Sequence, residues 1–275
     1  MEVSFFVLAS FMTLSSAQLT VNVKNKGGDL IQESIQADVA QDLIHLQFQK
    51  PDGTLISLLI DFKSEVQIFK ALVLGEEERG QSQYQVMCFI TKFTKSEFIS
   101  SDAMSKLRQK NPGTIRNPEE DKGQEHIFMD LQIDLKESSK FSKHIYNTCM
   151  EAQDSTYIRE SDIRALSKGY RASYLYPHYL TSQGNNYTYN SLLSATKPLT
   201  IQKMPHCHDM TNAWKPCTCQ FEICLGWYPC GLKYCKGRDS VGKVVSFRCG
   251  IKTCRKCRTF DFFVKQKQLC LWDEP

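Results

Sequence analysis

Residues 43–62 read LIHLQFQKPDGTLISLLIDF, and this stretch decides the class of fold. Apolar and polar residues alternate from Leu43 to Phe48, a Pro51-Asp52-Gly53 turn follows, and a second apolar run covers 54–62. Pro presets φ, Asp caps the turn and Gly accepts a positive φ, so the segment reads as a β-hairpin. Upstream, Leu19, Val21 and Val23 alternate in the same way. Downstream, residues 66–74 and 84–93 read as further strands, with the polar loop 75–80 between them. Together these strands predict a mostly antiparallel meander.

Helical character follows at 101–110, where Ser101 or Asp102 can cap the first turn and Asn111-Pro112-Gly113 ends it. Residues 126–135 place Ile127, Met129, Leu131, Ile133 and Leu135 at the period of one half-buried strand. A second helix is expected at 142–152, carrying Cys149. Closing Cys88 to Cys149 would tie that helix to a central strand across about sixty residues, worth roughly 4 kcal/mol in the chain-entropy model. Residues 18–152 thus read as a compact α+β domain with one staple. Residues 153–206 are rich in Ser, Thr, Tyr, Asn and Gln and carry little periodicity outside 162–168, so they read as a polar linker. The sequon Asn186-Tyr187-Thr188 falls there, which makes Asn186 the candidate glycosylation site.

The compartment is read from residues 1–17. Val3 to Leu14 is an apolar run, and Ser15, Ser16 and Ala17 follow, a secretory signal layout with cleavage expected after Ala17. The run is about a dozen residues long, whereas a spanning helix needs roughly 20. No later stretch approaches that length, so the expectation is a secreted, extracellular protein with no membrane span.

Cysteine usage agrees with that compartment. Only Cys88 and Cys149 precede residue 200. Cys207, Cys217, Cys219, Cys224, Cys230, Cys235, Cys249, Cys254, Cys257 and Cys270 crowd residues 207–275. The even total of 12 and an oxidising route favour disulfides. Zinc is the competing reading for the CxxC of Cys254 and Cys257, but no second well-spaced pair accompanies it. Residues 207–275 therefore read as a small disulfide-rich domain, whose ten cysteines allow roughly 900 pairings.

Catalysis has no signature here. There is no GxSxG, HExxH, P-loop or dinucleotide fingerprint. His206-Cys207-His208-Asp209 reads as an exposed boundary loop, and Asp61, Asp130 and Asp134 sit in strand-like segments. No enzyme activity, metal or cofactor is expected. Lys243, Arg248, Lys252, Arg255, Lys256 and Arg258 form a basic cluster that could hold a sulfated glycosaminoglycan, weighed against a merely solvated cationic face. Nucleic acid would require a different compartment. Charge is divided: residues 18–152 hold 16 Lys plus Arg against 20 Asp plus Glu, and 207–275 hold 12 against 6. The two halves could dock by charge and open to expose the basic cluster.

Several stretches carry a resemblance: GQSQYQVMCF around Cys88, AMSKLRQKNP at 103–112, KPCTC, WYPC, LKYC, RCGIKTC and QLCLWDE. With them the chain resembles the out-at-first family of secreted animal proteins. The resemblance implies an N-terminal domain similar to BRICHOS domains: a small sheet flanked by two helices, with one disulfide and an Asp at a strand end. Asp61 in LLIDF and the Cys88 and Cys149 pair stand at the matching places. It also implies a family-specific cysteine-rich C-terminal domain. Cys224 and Cys257 look additional to the family's shared cysteines, which implies that they pair with each other. The functional expectation is an extracellular binding or signalling protein. Its partner would be an unidentified protein or peptide, and the alternatives are an extracellular chaperone for β-prone segments or a glycosaminoglycan-binding matrix protein.

Overall fold

The computed structural model describes residues 18–169, 183–199 and 204–273, apart from 26, 76, 77, 79, 81 and 239. The expected signal segment, 1–17, lies outside the described residues.

Six strands form the meander: β1 (Gln18–Lys24), β2 (Leu30–Asp38), β3 (Leu43–Gln49), β4 (Leu55–Asp61), β5 (Val66–Leu74) and β6 (Tyr84–Lys92). The Leu43–Gln49 and Leu55–Asp61 strands pair antiparallel around the Pro-Asp-Gly turn. There Gly53 has φ +86°, its N–H donates to the Lys50 carbonyl (3.0 Å), and Asp52 Oδ1 accepts from the Thr54 N–H (2.9 Å). After α1 (Ser101–Ser105) come β7 (Glu120–Phe128), β8 (Leu131–Ile133), α2 (Ile145–Cys149), β9 (Thr156–Ile158), α3 (Glu160–Gly169), α4 (Gln183–Leu193) and β10 (Thr196–Pro198). Two long strands, β11 (Cys217–Arg238) and β12 (Val244–Val264), complete the fold.

The meander grows into a nine-stranded sheet ordered β1-β2-β3-β4-β5-β6-β9-β8-β10, and a second sheet is ordered β11-β12-β7. Strand parity places the large sheet between two cores. On β6, Met87 and Phe89 face the small sheet, while Val86, Cys88 and Ile90 face the helices. On β5, Phe69, Ala71 and Val73 take the first side and Val66 and Ile68 the second. A strand covered on both faces reads as a continuous apolar run, as VMCFI does. On β1 to β3 the side chains that join the first core share one parity, and that side faces the small sheet; Leu43, of the other parity, is buried outside that core. Phe89 stacks on Phe260 with centroids 4.4 Å apart and touches the rings of Phe262, Phe221 and Tyr157. The cysteine-rich hairpin is therefore not a free-standing module but the lid of the first core.

Three sequence readings are corrected. Residues 153–206 are not a linker in their described parts: β9 extends the sheet beside β6, and Tyr157, Ile158, Ile163, Leu166, Leu192 and Ala195 are buried. Among the described residues of this stretch apolar side chains are few, and the six just named suffice to anchor it. The single strand expected at 126–135 is two strands in different sheets, broken at Met129-Asp130, where Asp130 Oδ1 accepts from the Glu160 N–H (2.8 Å). The first helix ends at Ser105 and is capped by Ser100, not by Ser101 or Asp102. It stops early because Gln109 leaves it to bond the Thr20 N–H (2.9 Å) and carbonyl, sealing the outer edge of β1.

Candidate functional site

The outer edge of β11 is sealed near its start and, among the described residues, left open near its end, and that contrast organises the candidate site. Near the start, Trp272 Nε1 donates to the Gln220 carbonyl (3.1 Å) and Lys50 Nζ to the Glu222 carbonyl (2.8 Å). At the bulge between Leu225 and Tyr228, Glu33 accepts from the Gly226 N–H (2.7 Å) and the Trp227 N–H (3.2 Å). A Cβ on Gly226 would meet Val23 at 2.8 Å and Glu33 Oε1 at 3.1 Å, so only glycine allows the approach. Burial pushes the Glu33 carboxyl up to about 8, against the two backbone donors that favour its charge. Burial likewise lowers the Lys50 ammonium, which lies 4.5 Å from the Phe221 ring centroid. A cavity of about 350 Å³ opens here, lined by Val23, Ile31, Glu33, Phe48, Lys50 and Arg255 among others. Glu33 was missed in the sequence, although a signal exists: it stands between Ile31 and Ile35 at an inward position of an alternating strand.

The predicted basic cluster does not converge. On β12, Arg255 points to the cavity, whereas Lys256 and Arg258 engage carboxylates from the first half. Arg258 is buried, its guanidinium 5.1 Å from the Phe69 ring centroid, 3.3 Å from Glu97 and 3.6 Å from Glu125. Lys256 pairs with Glu125 (2.9 Å), and Lys252 pairs with Glu120. Burial works against the Glu125 charge, but Lys256 and Arg258 prevail and hold the carboxyl below its usual range. The acidic and basic halves thus meet through these pairs. They also share an apolar core, so charge screening alone cannot open them as the sequence reading allowed.

Beyond these pairs the hairpin leaves the body. β7 reaches β12 only from Cys254 onward, so residues 231–238 and 244–252 form a two-stranded arm whose register runs from Leu232↔Ile251 to Arg238↔Val244. Tyr234, Val244, Val245 and Phe247 are exposed on it. A disulfide joins Cys235 to Cys249 within the arm.

The profile described as "Out at first" matches residues 17–166, and that described as "Out at first, C-terminal" matches 206–274. Together they cover well over half of the chain. The chain belongs to the out-at-first family. It is 51% identical to the out at first protein of Drosophila virilis over 98% of this chain and 88% of that protein. It is 52% identical to the Drosophila melanogaster protein over 94% of this chain but only 52% of that one, so it spans about half of that relative's length. No solved structure matches it.

In this member of the family the disulfides join Cys88–Cys149, Cys207–Cys217, Cys219–Cys270, Cys224–Cys257, Cys230–Cys254 and Cys235–Cys249. Cys224 and Cys257 face each other directly across β11 and β12. Cys207, Cys219 and Cys270 gather closely, as do Glu222, Cys224 and Cys257, but those sulfurs are committed to disulfides. Asp61 is buried: Oδ1 accepts from the Lys63 and Ser64 N–H groups (3.0 and 3.1 Å) and Oδ2 from Ser142 Oγ (2.7 Å). It therefore ties the β4–β5 turn to the segment before α2. His206, His208 and Asp209 stand exposed on a short turn around buried Cys207. Asn186 lies in α4, and its side chain is outside the described residues. Among the described residues, no helix is long and apolar enough to cross a membrane.

Proposed function

We propose that this protein is secreted and works without catalysis, as an extracellular binding protein that meets its partner through the hairpin arm. One observation carries the reading. The backbone of β11 is sealed by Trp272, Lys50 and Glu33 over the body, then runs on as a disulfide-pinned ribbon bearing exposed Tyr234 and Phe247. Natural proteins usually cover such edges, and an exposed aromatic, cationic ribbon on a rigid base has the composition of an interface. The apolar run and small residues at 3–17 support export, and six disulfides support an oxidising compartment.

Replacing residues 233–250 by Asn-Gly joins Leu232 to Ile251, which already pair, and removes Cys235 and Cys249 together. Produced in cultured animal cells, both proteins are expected in the medium, beginning at Gln18 and without alkylatable thiols. The parent is expected to bind the cell surface, and the shortened protein to lose at least about tenfold in affinity, the scale of 1.4 kcal/mol. Retention in the cytosol with reactive thiols, or equal binding by both, contradicts the proposal.

A BRICHOS-like role in holding extended peptides is the second reading. Asp61 at the end of β4 and the Cys88–Cys149 bond between β6 and α2 favour it. It has to be assayed on the whole chain, because residues 18–152 alone lack β9 and the hairpin that covers the core.

A further inference from the structure

The arm has two chemically different faces. From Tyr234 to Arg238 the pairing is unbroken: Tyr234↔Arg248, Cys235↔Phe247, Lys236↔Ser246, Gly237↔Val245 and Arg238↔Val244. Residues two apart on a strand share a face, as do directly opposed partners. Lys236, Arg238 and Arg248 therefore lie on one face with Tyr234, at intervals of about 7 Å along the ribbon. Cys235, Gly237, Val245 and Phe247 lie on the other, where the Phe247 ring covers Gly237 and a Cβ at that glycine would meet it at 3.0 Å. All three cations are exposed. None has an ion-pair partner among the described residues, and neither 231–238 nor 244–252 contains a carboxylate. The neighbouring Lys233 and Lys252, by contrast, are paired with Glu119 and Glu120.

We infer that the face carrying Tyr234, Lys236, Arg238 and Arg248 binds a sulfated glycosaminoglycan, which deepens and rests on the proposed role of the arm. A row of unpaired cations on a stiff ribbon matches a chain of regularly repeated anions, and guanidinium groups take oxyanions in a bidentate way. The disulfide within the arm persists where thiols oxidise, so the polyanion at hand is an extracellular sulfated glycan rather than a nucleic acid. The site differs from the cluster at 248–258 suggested by linear spacing, because Lys256 and Arg258 are spent on Glu97 and Glu125.

The test is binding of the full-length oxidised protein to immobilised heparin across a salt series. Lys236→Gln, Arg238→Gln and Arg248→Gln together are expected to weaken binding at least tenfold. They should also lower the slope of log affinity on log salt by about 2 to 3, one per lost contact by counterion release. Lys110→Gln, Lys136→Gln and Lys197→Gln together remove the same charge from exposed sites elsewhere and are expected to leave binding within about twofold, a loss of at most roughly 0.4 kcal/mol. Equal loss in both triple variants, full retention in the arm variant, equal binding of desulfated heparin, or equal binding of duplex DNA each overturns the assignment. If the shortened protein loses cell binding while the arm triple keeps both cell and heparin binding, the ligand class fails and the arm survives. Cell binding by the shortened protein removes the arm itself.

Discussion

Phe89→Ala is expected to lower the free energy of unfolding by about 4 kcal/mol, the middle of the range for removing a buried aromatic ring. Phe89 has no exposed surface and sits between four rings contributed by β9, β11 and β12. The cavity it leaves cannot collapse easily, because those strands are held by their own pairing and by disulfides. Two consequences distinguish a shared core from two domains in tandem. Denaturant melts followed by tryptophan fluorescence, from Trp214, Trp227 and Trp272 in the C-terminal part, and by circular dichroism of the whole chain should shift together in Phe89→Ala. Phe260→Ala combined with it should cost less than the sum of the single changes, since either loss removes the same stacked pair. A shift confined to one probe, or strict additivity, would separate the sheets.

Glu33 gives the second large effect, and it depends on pH in a direction opposite to most carboxylates. Its folded value of about 8 lies above the ordinary 4.5, so between these values the folded state holds a proton that the unfolded state has released. Stability therefore falls as pH rises from about 4.5 to 8 and levels off beyond, a change on the order of 5 kcal/mol. Glu33→Gln is expected to abolish this fall while keeping an acceptor for the Gly226 N–H. Glu33→Ala leaves the half-buried Gly226 and the buried Trp227 N–H groups without their acceptor and is expected to cost about 3 kcal/mol at pH 5, where the wild type carries little ionisation penalty. Urea melts at pH 5, 6.5 and 8 decide the matter. Parallel pH profiles for wild type and Glu33→Gln would show that this carboxyl does not set the dependence.

Much of the meander was legible because its signals are local. Pro51-Asp52-Gly53 names a hairpin, and the apolar parity of β1 to β6 names strands without knowledge of their neighbours. What was hidden depended on distant partners. Tyr157 and Ile158 look like two stray apolar residues in a polar tract until β6 offers them an edge. Residues 126–135 keep one parity throughout, yet Met129 packs under the hairpin and Leu131 against the helices, because the chain changes sheets between them. Linear spacing put Arg255, Lys256 and Arg258 in one cluster, whereas strand parity sends the first to a cavity and the others into ion pairs. The three cations left unpaired together became visible only with the register of β11 on β12. Resemblance supplied the family, and pairing geometry supplied the surface.

One measurement tests the central claim, a single rigid body carrying an open arm: hydrogen exchange of the intact oxidised protein, read by mass spectrometry on peptides resolved after reduction. Amides of 217–228 and 254–264 should be protected as strongly as those of β5 and β6, because all of them open only when the shared core does. Amides at 231–238 and 244–250 that face outward from the ribbon should exchange orders of magnitude faster. Uniform slow exchange through the arm would contradict the account, as would early loss of protection across 217–264 while β5 and β6 remain closed.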